Sequence, residues 1–573
     1  MRLERSPFTS AARAAIIAST LALSFACGRS DEPAPAGAPT LEIEPGAPDA
    51  IKAQLSVRPA FLADDAETER VWKSVRKFYE ERAYAPAWID GRRPTEELDE
   101  LLEVLQGAGD AGLDPAMYAS PALVAHRQNA NGKRFSRDAF QPDDIDEVDV
   151  WSTWAFMAYA SDLADGVTDP TRITGTWGMQ PSPIDPVALL NDTLATGDVA
   201  GAIGKAAPQH PEYLALGKAL ADYRHMAEAG GWEPLPKSLK LKSGAKHNAV
   251  PALRKRLAIT HDYKGDPASA STTYDDELVK AVTLFQLRHG IAEDGIVAGN
   301  TLAALNVPVS KRIQQIQLNM ERWRWLPRDL GKHHARVNIP EYRLDLWEDD
   351  RIALTMRTVV GTEDNKTPIF ADQMTHIVFS PYWNVPESIA VEETLPAMEG
   401  DPAYLERNNL EVVGTSGDVL DPWSVDWEDT KSYRFRQKPG TSNSLGLVKF
   451  MFPNQHAVYL HDTPSVALFK QPRRALSHGC VRVEQPTTLA RYLLRDRQEW
   501  DDARIDAAMH AGKEQHVKLT EPVPVYLLYM TARASHEDGT VHFREDIYGY
   551  DAQHGRAYEQ RLASMQRRSA ETY

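Results

Sequence analysis

Cysteine is nearly absent: Cys27 and Cys480 are the two in a chain of 573 residues. So few thiols exclude a disulfide framework and any paired Cys-x-x-Cys zinc set. Positive charge is also in deficit, with Lys plus Arg at 64 against Asp plus Glu at 81, a net charge of −17. That argues against a nucleic-acid partner, because phosphate binding needs a basic face. An anionic polymer would have to be held by local contacts rather than by the overall field. No apolar run is long enough to cross a bilayer; the run Ala14–Ala26 has only the length of a secretion-signal core. At 573 residues the chain exceeds what one hydrophobic core holds, so several domains are expected.

What the chain does contain is concentrated between Val458 and Val483. The stretch begins Val-Tyr-Leu-His-Asp and ends Ser-His-Gly-Cys-Val-Arg-Val. A lone cysteine with histidines nearby is a candidate nucleophile, since the thiolate is intrinsically reactive and an adjacent base can generate it. His461 follows the strand-like run Val458–Leu460, and Ser477, His478 and Gly479 directly precede Cys480. Glycine allows a tight turn there, so the amide N–H groups near Gly479 and Cys480 are expected to face an oxyanion. A zinc site of His456, His461, His478 and Cys480 is permissible by residue type. Against it, His456 and His461 are an odd interval apart and would face opposite sides of one strand. No metal and no cofactor is expected.

The remainder divides by period. Residues 56–249 read as helical, with breaks at Pro115, Pro121, Pro170 and Pro186. Val71, Trp72, Val75, Phe78 and Tyr79 form one apolar face, and Leu98, Leu101, Leu102 and Leu105 another. Residues 250–308 form a second helical unit, in which Leu278, Val282 and Phe285 share a face. A connecting helix over 309–334 carries Ile313, Ile316, Met320 and Trp323. Trp323 and Trp325 read as core residues. From 335 to 552 the period becomes that of strands, with Leu344/Leu346, Met356–Val360, Ile377–Phe379, Leu447–Phe450 and Val523–Tyr529 as candidates. Thr487–Leu494 reads as the principal helix of this domain. Residues 392–436 interrupt the strand pattern, and 553–573 read as a helical or disordered tail. The fold class is therefore multidomain α+β, a helical scaffold and a small helical unit ahead of a mostly-β domain.

His461, fifteen intervening residues and Ser477-His478-Gly479-Cys480 together resemble the signature of the L,D-transpeptidase catalytic (YkuD-type) family, with Arg482 in the place of its usual Asn or Arg. The run from Ala281 to Asn306 resembles the small helical peptidoglycan-binding domain. Tyr84–Trp88, Gly112–Pro115, Thr367-Pro368, Ser380–Pro386, Arg436–Gly440, Asn443, Leu445-Gly446 and Phe452–Asn454 resemble the large, YcbB-type members. In those members a capping segment covers the active site, which makes 392–436 either a substrate lid or a passive insertion. The N-terminus, with Arg2, Arg5 and Arg13 before the apolar run, reads as a signal peptide over 1–27 and a Pro/Ala-rich linker over 28–55. Cys27 resembles a bacterial lipoprotein site, which would anchor the chain to a membrane through a lipid; cleavage after Ala26 is the other reading. Either way, a periplasmic location is expected.

The resemblance implies acyl transfer through a thioester on peptidoglycan stem peptides and glycan strands. Cys480 would be the nucleophile and His461 its base, with Gly479 and His478 completing the catalytic set. The acyl group comes from the residue before a terminal D-alanine, and a second stem's amine receives it, forming a 3-3 cross-link. Water would make the same chemistry an L,D-carboxypeptidase, and a lipoprotein lysine would make it an attachment reaction. A non-catalytic wall-binding protein is the reading from another class. Carbapenem inactivation at Cys480 is also implied. Trp383, Asn384, Ser477, Tyr459 and Arg482 are the candidate substrate contacts, with Ser477 alternatively a hydrogen bond within the turn and His478 a residue that orients the loop or tunes the thiolate. Arg482 would either bind a substrate carboxylate or lock its loop by a salt bridge. Tyr459 would either face the cleft or be a half-buried strand residue.

Overall fold

The computed structural model describes residues 46–57, 62, 65–118, 145–175, 177–179, 183–401 and 403–571. Cys27, the leader, most of the linker and Pro121 lie outside them. In the first third, the helical spacing does produce helices. Asp65 accepts the Thr68 amide at 2.8 Å and opens a helix over Ala66–Glu81, which buries Val71, Trp72, Val75, Phe78 and Tyr79. That face packs on the helix Ile145–Asp165, which is buried on nearly every side and hence apolar all round. Of its two buried carboxylates, Asp162 accepts from Tyr118 Oη at 2.9 Å, and Asp149 accepts from Tyr79 Oη at 2.7 Å and from the Trp88 amide at 2.8 Å. The Tyr84–Trp88 motif is thus a loop closed over a buried, fully bonded polar group. Pro170 and Pro186 start helices (Pro170–Thr174 and Pro186–Thr196) rather than merely breaking them.

Residues of the expected 56–249 unit are shared among three hydrophobic cores. Tyr213, Leu216, Leu220 and Tyr223 on the helix Pro211–Glu228 join the hydrophobic core of the β domain, not that of the preceding helices. Leu235, Leu239 and Leu241 join the core of the next unit, which begins ahead of residue 250. An apolar face announces that it will be buried, but not against what. Within that next unit, helices Val250–Ile259, Asp276–Arg288 and Gly299–Leu305 surround a fully buried Gln286. Its amide donates to Asp294 at 2.7 Å and Thr301 at 3.0 Å and accepts from Gly295 N at 2.8 Å. These motif residues hold the turn together.

The helix Val309–Arg324 buries Ile316, Met320 and Trp323 and links the parts. Its Asn319 amide donates to Thr531 at 2.8 Å, and its Glu321 carboxylate accepts from Thr168 N at 2.9 Å. The C-terminal segment is a helix, Tyr550–Glu571, whose His554 lies 3.0 Å from Thr168, so the start of the expected helical or disordered tail is packed helix.

The β domain is a nine-stranded sheet: β1 His333–Asn338, β2 Arg343–Glu348, β3 Arg351–Gly361, β4 Phe370–Phe379, β5 Val448–Met451, β6 Leu460–His461, β7 Ala475–Ser477, β8 Val481–Val483 and β9 Gln515–Leu528. Neighbours run β7-β3-β8-β6-β5-β4-β9-β1-β2, and β2 also pairs with β3, so the ladder closes on itself with β7 outside the ring. The pairs β6/β8, β7/β3 and β9/β1 are parallel. Two helices of equal length, Pro486–Leu493 and Asp502–Met509, follow β8; the second is a helix the sequence reading did not identify.

The insertion is larger than 392–436 and is not free of strands. Trp383–Asn384, Tyr433–Gln437, Leu410–Gly414 and Val419–Leu420 form a separate four-stranded sheet. Short helical turns over 387–400 and 404–407 pack on it, around Val385, Leu405, Val412, Tyr433 and Phe435. Alternation in strands this short is hard to see in a sequence.

Candidate active site

The site is built on three adjacent strands. Register pairs His461 with Arg482 on one side and with Lys449 on the other, while Leu460 pairs with Val481 and Phe450. Phe450, Leu460, Val481 and Val483 face the core. Period-two alternation therefore turns Lys449, His461 and Arg482 to the opposite face, and Cys480, two residues before Arg482, to that face as well. Tyr459, two residues before His461, completes the set, its ring edge-on to the His461 ring at 5.8 Å. Only Leu460 and His461 are paired as strand; Val458 and Tyr459 precede it in a loop.

Cys480 is half-buried, and its Sγ–H is directed at the Ala457 carbonyl at 3.8 Å. That carbonyl is positioned by Asn454, whose side chain donates to Val458 O at 2.7 Å and accepts from His456 N at 2.9 Å. Burial pushes the thiol above its ordinary value, against the opposing pull of the Tyr459 N–H and Oη–H donors and the Arg482 charge. Tyr459 therefore faces the cleft. Its own hydroxyl is pushed well up by burial and by Cys480.

His461 is buried, and its Nδ1–H donates to the Asp462 carbonyl at 2.5 Å, which leaves Nε2 as the free acceptor. Burial, then the Arg482 charge and that of Lys449, pull it down to about 3. At neutral pH the imidazole and the thiol are both uncharged, and no hydrogen bond joins them among the described residues. Arg482 is half-buried, with burial pulling its guanidinium down. Its Nε has no partner and it forms no salt bridge among the described residues, which disposes of the loop-locking reading.

The turn before Cys480 is fixed by Ser477 and Gly479. Ser477 Oγ donates to Cys480 O at 2.6 Å and accepts from Gly479 N at 3.2 Å. Ser477 is thus a buried staple rather than a substrate contact. The Gly479 amide is consumed by it, leaving the Cys480 amide as the donor available to an oxyanion. Gly479 itself has φ +110°, a conformation that requires glycine, although a Cβ would have room. Its carbonyl accepts from Thr367 Oγ1 at 2.7 Å. Thr367 N donates in turn to Tyr548 Oη at 3.1 Å, and Tyr548 Oη–H to Gly361 O at 2.7 Å. Tyr548, near the chain's end, carried no sequence signal.

His478 Nε2 lies 2.8 Å from Glu393 Oε1 on the inserted segment. That contact links the nucleophile turn to the insertion. Trp383 and Asn384 pair with Gln437 and Arg436 at the base of the insertion, in the small sheet. His456 packs on Phe370 at 5.0 Å, away from the other histidines. Among the described residues no group of three or more His, Cys, Asp or Glu gathers in metal-binding fashion. Lys449 was missed because a single polar residue in Val-Lys-Phe-Met looks like ordinary strand alternation.

Three family models match the chain: "Scaffold domain" over residues 73–220, "Putative peptidoglycan binding domain" over 246–305 and "L,D-transpeptidase catalytic domain" over 332–523. A curated relative from Haemophilus influenzae, named "Putative L,D-transpeptidase", is 38% identical over 254 residues, 43% of this chain and 50% of the relative. The chain thus spans about half the length of that relative. Among solved structures, an L,D-transpeptidase from Stackebrandtia nassauensis aligns with 51% of this chain and 96% of its own at 14% identity and a TM-score of 0.21. One from Xylanimonas cellulosilytica aligns with 52% of this chain and 100% of its own at 16% identity and a TM-score of 0.18. Likeness at those scores carries no argument; the family matches do.

Proposed function

We propose, for a chain that carries an L,D-transpeptidase catalytic domain beside a scaffold domain and a peptidoglycan-binding-type domain, that it cross-links peptidoglycan stems through a thioester on Cys480. The observation that supports this most is the shared face of Cys480 and His461 on neighbouring strands, with Nδ1 of His461 tied to Asp462 O and Nε2 left free. Sγ attacks the carbonyl of the residue preceding a terminal D-alanine as its proton passes to His461 Nε2. The carbon–nitrogen bond then breaks, and D-alanine leaves with that proton on its amine. A second stem's amine attacks the thioester, the carbon–sulfur bond breaks, and the thiol is restored. Both groups are neutral at rest, so proton transfer accompanies attack rather than preceding it as a stable ion pair.

The Cys480 amide would stabilise the oxyanion, and Arg482, free of any carboxylate partner among the described residues, would take a substrate carboxylate. The inserted segment, tethered to the nucleophile turn by Glu393 and His478, acts as a lid that keeps water from the acyl-enzyme. That favours an amine acceptor over hydrolysis. The reaction needs no external energy source, since one amide is exchanged for another, which suits the periplasmic location and the membrane tether at Cys27 that the sequence suggests. Carbapenems, as acylating agents, would form an adduct on Cys480.

Mass spectrometry of products from purified disaccharide-tetrapeptide tests this reading. The expected product is a dimer lighter by one D-alanine, lost in Cys480→Ala. Free tripeptide alone would shift the assignment to L,D-carboxypeptidase. No product and no carbapenem adduct would support a non-catalytic wall-binding role.

A further inference from the structure

We propose that Lys449 is a substrate-binding residue, forming with Arg482 a two-sided anion site across His461 that takes the C-terminal carboxylate of the donor's leaving residue. The proposal rests on the acyl-transfer reading above. Its observation is a row of three: Lys449, His461 and Arg482 occupy the same register position on β5, β6 and β8 and the same face. Strands lie about 4.8 Å apart, so the two cations flank the imidazole at one residue's distance on either side.

Both cations are weakly held within the protein. The Lys449 side chain is only 14% exposed, yet its ammonium, with three donors, has only long contacts, the Tyr459 ring centroid at 5.9 Å among them. Tyr382 O lies at 3.5 Å and Glu514 Oε2 at 4.0 Å. Glu514 is committed elsewhere, accepting from Tyr382 N at 2.8 Å and contacting His516 Nε2 at 3.1 Å. Arg482 Nε is buried with no partner at all. A half-buried cation without a close anion is costly, and an incoming carboxylate relieves that cost. In a chain of net charge −17, this local excess of positive charge stands out at the nucleophile.

The chemistry of the donor supplies the anion at the right distance. In a stem ending in D-alanine, the terminal carboxylate lies roughly 3–4 Å along the backbone from the scissile carbonyl. With that carbonyl at Cys480 Sγ, the carboxylate falls over the Lys449–His461–Arg482 row. Binding it has a second effect. The two charges that depress the basicity of His461 are neutralised when the substrate arrives, so the base strengthens as Sγ attacks.

The test compares two disaccharide-tetrapeptide donors, one with a free C-terminal carboxylate and one with a C-terminal carboxamide, by the rate of Cys480 acylation in the full chain. Wild type should acylate from the acid at least about tenfold more efficiently, the scale of a charge-assisted hydrogen bond. Lys449→Met should lose about tenfold of the acid-over-amide preference, through KM on the acid donor. Lys449→Arg should restore most of the preference. Equal use of both donors by wild type would overturn the proposal without any variant. So would an equal loss on both donors in Lys449→Met, the signature of a merely structural residue. If wild type forms no adduct with either donor, the acyl-transfer reading fails, and this proposal with it; the absence of any adduct distinguishes that result from a loss of preference.

Discussion

The state of the resting nucleophile can be tested by replacing Tyr459. An ordinary thiol at 9.0 is about 1% ionised at pH 7.0, and burial holds Cys480 below that fraction. Three features oppose the burial: the Tyr459 amide, the Tyr459 hydroxyl and the Arg482 charge. Tyr459→Phe removes the hydroxyl donor and leaves the amide. A hydrogen bond to a charged acceptor contributes about 1.5–3 kcal/mol, and the partial exposure of Cys480 places this one at the lower end, a factor of about ten in thiolate population. The assay is alkylation by iodoacetamide from pH 6 to 10.5, followed by intact mass. Wild type should react slowly at pH 7 and plateau only above pH 9. Tyr459→Phe should react about tenfold more slowly at every pH below its plateau, with an unchanged melting profile. A wild-type midpoint near pH 6–7 would mean a preformed thiolate–imidazolium pair and refute the argument, as would an unchanged profile in Tyr459→Phe.

Further expectations concern the groups around the thiol. Ser477→Ala leaves the buried Gly479 amide without its acceptor and removes the bond to Cys480 O, so chemical denaturation should show a loss of about 1–3 kcal/mol, with acylation slowed more than alkylation. Glu393→Gln weakens an exposed tether, so it should change stability by under about 1 kcal/mol while speeding Cys480 alkylation as the lid opens more often. His461 is held neutral at about 3 against 6.5 when unfolded, so its contribution is complete above pH 6.5 and is lost as pH falls toward 3. Urea titrations at pH 7, 5.5 and 4.5 should therefore show His461→Gln losing less stability than wild type, by a difference that approaches about 1.4 kcal/mol per pH unit well below pH 6.5; parallel slopes would contradict the buried, neutral imidazole.

The sequence displayed the nucleophile and the base because both the residue types and their spacing are unusual: a lone thiol after His-Gly and a histidine at a strand's end. It displayed the helices whose apolar faces recur every three to four residues, such as Val71 to Tyr79. It did not show where the helix Pro211–Glu228 would pack, since amphipathicity carries no address. Nor did it separate Ser477 as staple from Ser477 as contact, because a hydroxyl serves either purpose and only the turn's geometry decides. Tyr548 braces Gly361 and Thr367 from about 180 residues away, a relation that no local pattern encodes. Lys449 acquires meaning only from the register that sets it opposite His461.

The base of the lid has an evolutionary and practical consequence. The segment leaves the main sheet at Trp383–Asn384 and returns at Arg436–Gln437, and these two ends are hydrogen-bonded to each other as an antiparallel pair. Asn443 secures the stem, its amide donating to Pro381 O at 3.1 Å and Lys438 O at 2.9 Å. With its ends already adjacent and a hydrophobic core of its own, the segment is a cassette: joining its ends by a short turn costs little closure entropy. A lineage can gain, lose or exchange it without disturbing the strands that carry Cys480 and His461, and an engineer can graft another in its place.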